Sequence, residues 1–385
     1  MAVYKLFPIQ DSTIYSYYPD MNTGIDSLLE LGNLNPLVNP SPQVSRFLIK
    51  FDQTEIENII DNKIGSGNKF SSSLRCFIAE AQGITKSTVV ETFAVYGSWD
   101  NGDGQYLDSP QSTNGASWRN RISSGSNNNW ITSSFPIYVT GSFPSINYYG
   151  GGNWYTGSDD TNNINLKVTQ SLGYRSFKDL NLNVTDIVNI WYSSSNSIGG
   201  FEQIENEGFL LKFVDSIEFN ESTDIQPQLQ YYSIDTNTIY PPVLEMKWDD
   251  SSFETGSLSE INTSDLVVAL DNNSGIFYSE SINRFRLNVR KEFPVRTFQT
   301  SSVYTTNNFL NSSSLYAIKD LDTNEYIIDF DSQFTKISCD ATGNYFDIYM
   351  NGLEPERYYK ILIQTTISGS TIVKDDKYYF KVING

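Results

Sequence analysis

The chain has 385 residues, 14% of them aromatic and only 18% charged, with a formal net charge of −19. Such an acidic chain is unsuited to the phosphate backbone of nucleic acid or to an anionic membrane surface, both of which attract basic patches. It has no histidine and two cysteines; this removes Ser-His-Asp, thiol-His and ordinary zinc chemistry, and predicts Cys76 and Cys339 as buried free thiols.

Aromatic and β-branched enrichment with sparse charge favours strands, and the length predicts two or three domains. Residues 3 to 17 read as strand, turn, strand, followed by a loop from Pro19 through Gly24 and a short strand from Leu28 to Gly32. Arg46 to Asp52 is a strand in which Phe47, Ile49 and Phe51 share one face. Thr54 to Asp61 predicts a short helix with Thr54 as N-cap and Glu57 completing a capping box. Strands follow at Ser73 to Glu80 and Val89 to Tyr96.

The stretch from Trp99 to Arg121 interrupts this pattern. Gly102, Gly104, Gly115 and Pro110 among Asp and Asn residues make it a long irregular excursion. Loops of this length in a compact domain are usually functional or tightly packed. Trp99 and Trp118 are expected to pin its ends into the core, and the excursion reads as a cover over one end of a β-sandwich or as a recognition loop. Trp130 to Thr140 is expected as an edge strand broken by Pro136. Pro144 to Asn163 reads as a second long loop anchored by Trp154. Thr185 is expected to cap a short helix ending at Trp191, with Ile187, Ile190 and Trp191 on one face. Strands are expected at Gly208 to Phe213 and from Tyr231 to Tyr240.

Pro241-Pro242 is the expected domain boundary, since adjacent prolines hold a stiff, extended link. It separates a jelly-roll β-sandwich with long loops over 1–240 from a C-terminal region over 241–385. There, nine short strands between Val243 and Ile383, separated by Asn, Asp and Gly, predict one or two small sandwiches of immunoglobulin or fibronectin type III kind. The N-terminus has neither the apolar core nor the cleavage site of a signal peptide, and no apolar run reaches eighteen residues, so no membrane insertion is expected.

Carboxylates are the abundant acid-base groups. Asp100, Asp103, Asp108, Asp159 and Asp160 fall in the two long loops. A glycosidase needs two such groups about 5–10 Å apart across a cleft, but solvated loop acids are the commoner case and no hydrolytic activity is expected. Asp100, Asp103 and Asp108 are candidates for a structural calcium ion. The run Asp100-Asn101-Gly102-Asp103-Gly104 lacks EF-hand spacing, and its twelfth position is Gln111. No other cofactor is expected. Tyr148, Tyr149, Trp154 and Tyr155 are the candidate rings for stacking on a glycan, with burial under their own loop as the competing reading. Gly150-Gly151-Gly152 has no basic neighbour and makes a poor phosphate cradle.

Three blocks resemble the DNRLRE-type β-sandwich, a jelly-roll related to carbohydrate-binding modules: Asp11 to Tyr15 with Pro19-Asp20 and Asn22-x-Gly24; Arg46 to Asp52; and Asn183 to Trp191 followed by Gly208 to Leu211. They span roughly residues 1 to 215 in the family's order, with Asn183 where Asp is usual. The resemblance implies a scaffold in which Arg46, Phe51, Trp191 and Phe209 are structural, and fold alone does not settle function.

The whole chain also resembles virion structural proteins of contractile-tailed phages of marine cyanobacteria. The resemblance rests on Phe293 to Phe298, Phe334 to Ser338 and Gly343 through Tyr359. Within the last block, Leu353, Pro355 and Tyr359 have the spacing of a tyrosine corner. It implies a non-enzymatic virion protein, assembled in the host cytoplasm, that docks on tail, baseplate or neck. Other virion proteins and further copies of itself are its expected partners, and a host surface glycan is another. The alternative is a carbohydrate-binding adhesin, and after it a glycan depolymerase.

Overall fold

The computed structural model describes the chain outside residues 1, 35–42, 66, 85–86, 124, 126–127, 132–138, 142–149, 157, 160–163, 193–203, 221–224, 272 and 294–307. The protein is nearly all β, built of mainly antiparallel sheets arranged as sandwiches. It divides into two compact units: Leu6–Lys63 with Ser71–Glu245, and Met246–Gly385 with Met1–Lys5 and Ile64–Phe70. The Pro241-Pro242 pair lies a few residues before the change of unit at Met246. No local signal in the sequence marks the two N-terminal pieces that join the second unit.

In the larger unit one sheet runs Lys167–Leu172, Thr88–Ala94, Phe209–Phe213, Gln43–Lys50, Leu28–Leu34, Gln228–Tyr232, Ile78–Gln82, with Gln10–Tyr15 also paired to Gln43–Lys50. The Gln43–Lys50 strand is buried from Val44 through Ile49, so both of its faces are covered. Phe47 packs on Tyr231 at 5.8 Å between centroids, Phe51 on Phe209 at 6.2 Å, and Trp191 on Phe209 at 4.8 Å. The intervening positions, Val44 and Leu48, join Ile14, Phe93, Leu210 and the tryptophans Trp99, Trp118, Trp130 and Trp154 in a second core. Side chains alternate along a strand, so one sheet serves two cores.

Two helices lie where the sequence places them, but their caps differ. The helix Gln53–Ile59 is capped by Asp52, whose side chain accepts the Thr54 N–H at 3.0 Å, not by Thr54 itself. It continues into a π turn over Ile60–Ile64. Asn183 Oδ1 accepts the Thr185 N–H at 3.1 Å at the start of Thr185–Tyr192, leaving the Thr185 hydroxyl to accept the Ser72 N–H at 2.9 Å. In both, the short acceptor two residues upstream reaches the free amide first. A third helix, Asp215–Glu218, is too short for any periodic signal. The strand expected from Tyr231 to Tyr240 ends at Tyr232. Most of the expected Trp130 to Thr140 strand lies outside the described residues. The stretch read as a second loop carries the short strand Asn153–Tyr155. Cys76 and Cys339 are free and buried.

The smaller unit is a sandwich of two sheets. One holds Ser259–Glu260, Leu266–Asp271, Ile282–Lys291, Asn308–Phe309, Ser338–Asp340 and Gly343–Tyr349. The other holds Ile276–Tyr278, Leu315–Asp320, Tyr326–Ile328, Tyr358–Ile367 and Ser370–Ile383. Between them Phe346 stacks on Phe285 at 5.5 Å and on Tyr316 at 4.4 Å, and Tyr359 leans on Phe380 at 5.6 Å. Tyr359 is 1% exposed and its hydroxyl donates to the Glu354 carbonyl at 2.9 Å. Tyr358, on the opposite face of the strand, is 50% exposed. Leu353 is buried beneath the corner and Pro355 lies between them, half-buried. Beside it Arg357 makes a two-pronged pair with Asp320 at 2.6 and 2.8 Å.

Equilibrium denaturation of the full chain should therefore rank two conservative variants. Tyr359→Phe removes one part-buried hydrogen bond and is expected to cost about 0.5–1.5 kcal/mol. Tyr358→Phe should cost close to nothing, and a larger loss in Tyr358→Phe would contradict the strand phase.

Candidate functional site

The excursion from Trp99 to Arg121 forms, with the 15–26 loop, one end of the larger unit. Its base is a buried layer of charge and tryptophan. Arg46 is fully buried; its Nε and Nη2 donate to the two carboxylate oxygens of Glu218 at 2.9 and 2.6 Å, and its Nη1 donates to the Gly151 carbonyl at 2.6 Å. The guanidinium lies over Trp118 at 5.0 Å and Trp154 at 5.2 Å. Planar delocalised charge suits both a forked carboxylate and an aromatic face. Lys212, also buried, stands 2.7 Å from Asp215, 3.3 Å from Glu91 and 3.6 Å from Glu218. Lys167 pairs with Glu91 at 2.5 Å. Three cations are thus matched by three carboxylates.

Trp99 and Trp118 are both buried, and Trp99 Nε1 donates to the Glu207 carbonyl at 2.8 Å. Trp130 Nε1 donates to the Ser117 carbonyl at 2.9 Å. Above them Asn22 clasps the excursion. Its Nδ2 donates to the Asn101 and Ala116 carbonyls at 2.7 and 2.8 Å, and its Oδ1 accepts the Gly104 and Gly24 N–H groups at 2.8 and 3.2 Å. All four bonding positions of one amide are used. The backbone passes so closely that a Cβ on Gly102, which has φ +84°, would lie 2.0 Å from the Asn114 carbonyl oxygen.

The candidate calcium acids are spent singly. Asp103 accepts from Ser112 Oγ at 2.5 Å and Asn114 Nδ2 at 3.2 Å, and the Ser112 bond, then that from Asn114, holds its carboxyl below the usual range. Asp108 accepts the Gln105 N–H at 2.8 Å. Asp100 joins the network through its backbone, donating to the Arg121 carbonyl and accepting from Ala116. Among the described residues no group of three or more His, Cys, Asp or Glu is placed to hold a metal ion. Of the candidate glycan rings, Tyr148 and Tyr149 lie outside the described residues. Trp154 is buried against Phe93 at 5.6 Å. Tyr155 is half-buried, set edge-on to Tyr96 at 5.5 Å, and burial pushes its hydroxyl up to about 12.

A packed aromatic cluster that reaches the surface lies elsewhere, at residues the sequence reading does not single out. Tyr15, Tyr17, Tyr18 and Tyr106 pack together with centroid distances of 4.8–6.2 Å. Tyr15 is buried beneath, Tyr17 and Tyr18 are half-buried, and Tyr106 is exposed. The Y-x-Y-Y spacing over residues 15–18 was a visible signal; that Tyr106 would join it was not.

No known family model matches the chain, and no curated protein does. Among solved structures the chain is similar to a DUF4785 family protein from Legionella pneumophila, at 8% identity and a TM-score of 0.17, covering 100% of this chain and 62% of that one. It is also similar to β-glucuronidase from Parabacteroides merdae in two structures, at 8% and 10% identity and a TM-score of 0.16 in each, covering 82% of this chain and 29% and 28% of those. The chain spans less than two thirds of each of these proteins, and similarities this slight carry no argument.

The clasp is directly testable by thermal and denaturant unfolding. Asn22→Ala leaves two carbonyls and two amides unpaired in a buried site, at about 1–3 kcal/mol for each group left unsatisfied. Asn22→Asp keeps the acceptor, loses both donors and adds a buried charge, so it should be at least as damaging. An Asn22→Asp protein as stable as the parent would contradict the clasp.

Proposed function

We propose that the chain is a non-enzymatic structural protein of a contractile-tailed phage particle, in which two β-sandwich units serve assembly and the loop end of the larger unit faces a partner. The observation that carries this reading is the close packing of the long excursion. Asn22, Trp99, Asp103 and Trp118 are each committed to the fold, as a surface presented for docking requires. A glycosidase of the usual kind needs a carboxyl raised toward neutrality within reach of substrate. Asp103 is held low instead. Asp11, pushed up to about 7 by burial and only partly offset by the Ile234 N–H, is 1% exposed. Asp26, also raised by burial, is half-buried and has its Oδ2 committed to the Tyr106 N–H at 3.1 Å. The resemblance of the Gly343 through Tyr359 block to phage virion proteins supports the same reading, and cyclic homo-oligomers are the usual form of such components.

Gold-labelled antibody against the recombinant chain, applied to purified phage particles, is the test. The expected outcome is label at one fixed position on tail, baseplate or neck, with no reducing ends released when the chain is incubated with host polysaccharide. Particles that lack the chain, or polysaccharide cleavage abolished by Asp103→Asn or Asp159→Asn, would overturn the reading.

A further inference from the structure

The tyrosine cluster of the larger unit has a feature that a buried core lacks: an apolar surface beside carboxylates that, among the described residues, no cation matches. Tyr106 is 38% exposed, and next to it Leu107 is 52% exposed with a left-handed φ of 58°. A leucine in that conformation is strained, and here it turns an apolar side chain to solvent. Ile25, 40% exposed, is tied to the same surface through its N–H bond to the Gly104 carbonyl at 3.1 Å. Tyr106 is fixed at two points, its N–H on Asp26 Oδ2 at 3.1 Å and its hydroxyl 3.4 Å from that of Tyr17.

Asp26, Glu30 and Asp108 lie around these rings. Burial, then the neighbouring charges of Glu30 and Asp108, raises the Asp26 carboxyl above its ordinary range. Asp26 and Asp108 accept backbone N–H groups, and Glu30 accepts from Gln230 at 2.6 Å. Among the described residues no lysine or arginine forms an ion pair with any of the three, in contrast to Asp20, which Arg119 holds at 2.6 Å. Inter-ring angles of 53–71° present π faces at an incline to one another. A sugar ring stacks on one open flat face, whereas inclined faces beside unmatched carboxylates suit a cation approached from several sides.

We propose that Tyr17, Tyr18, Tyr106 and Leu107 form a docking surface for a partner protein segment that presents an arginine or lysine, with Asp26 and Asp108 as its charge partners. The charge complementarity is local to the surface and is reinforced by the net charge of −19, which speeds encounter with a basic segment. Such binding is a property of the isolated chain and holds whether or not the chain belongs to a phage particle.

The test is fluorescence anisotropy of a labelled hexa-arginine peptide titrated with the full chain at physiological salt. Tyr106→Ala preserves net charge and should weaken binding about two- to five-fold, as loss of an exposed cation–π contact does. Asp26→Asn should weaken it by a similar factor, and Asp376→Asn, an exposed acid of the other unit, should leave it unchanged. Tyr17→Ala provides a second ring variant, and unchanged melting midpoints confirm folding. Three results would overturn the proposal: no binding to the parent chain; equal weakening by Asp376→Asn and Asp26→Asn with none by the tyrosine variants; or binding of a neutral oligosaccharide that Tyr106→Ala abolishes and Asp26→Asn spares.

Discussion

The larger unit depends on one buried cation. Arg46 sits mid-strand on a sheet position that would ordinarily hold an aliphatic residue, and it is fully buried. A lone guanidinium there would be prohibitively costly, so its surroundings must supply both charge and hydrogen bonds. Glu218 supplies the charge through a forked pair, Gly151 a carbonyl, and Trp118 and Trp154 the aromatic faces. These four groups come from three separate parts of the chain: the short helix Asp215–Glu218, the excursion, and the glycine run with the Asn153–Tyr155 strand that follows it. One side chain therefore draws three distant segments onto one sheet.

This explains why the excursion is closely packed despite its composition. Glycine, asparagine and aspartate favour turns, and left alone would give a mobile loop. Here tryptophans hold it from below and Asn22 ties it from the side, so exposed groups at its tip are carried on a fixed base. Preorganisation of this kind lowers the ordering cost of binding. The same fixed base holds Tyr106 against Tyr17 and Tyr18, and it holds Leu107 in a conformation that only a well-determined surrounding sustains.

Much of this architecture is legible in the sequence. The alternation of Phe47, Ile49 and Phe51 gives the strand and one of its faces, and the spacing of Leu353, Pro355 and Tyr359 gives the corner. The tryptophans flanking a glycine-rich excursion mark its anchors. What could not be read are pairings across long separations. Nothing near Arg46 points to Glu218, and nothing near Asn22 points to Asn101, because each partner is chosen by the fold and not by local periodicity. At both helix starts the residue that accepts the free amide, Asp52 or Asn183, lies two residues before the one expected, for a local reason: each start offers two residues with short polar side chains, and sequence does not say which one reaches the amide. Tyr155 was a reasonable choice as a sugar platform by composition, but its edge-on packing against Tyr96 leaves only part of its ring open.

A double-mutant cycle on Arg46 and Glu218, read by equilibrium denaturation, tests this account most directly. Glu218→Met should destabilise by about 3–5 kcal/mol, because it strands the Arg46 charge in a buried site, and Arg46→Met by less, because Lys212 still stands 3.6 Å from Glu218. The double variant should lose well under the sum, with a coupling of about 1–3 kcal/mol, since no unpaired charge remains. Additive losses of under about 1 kcal/mol each would contradict the central role given to this pair.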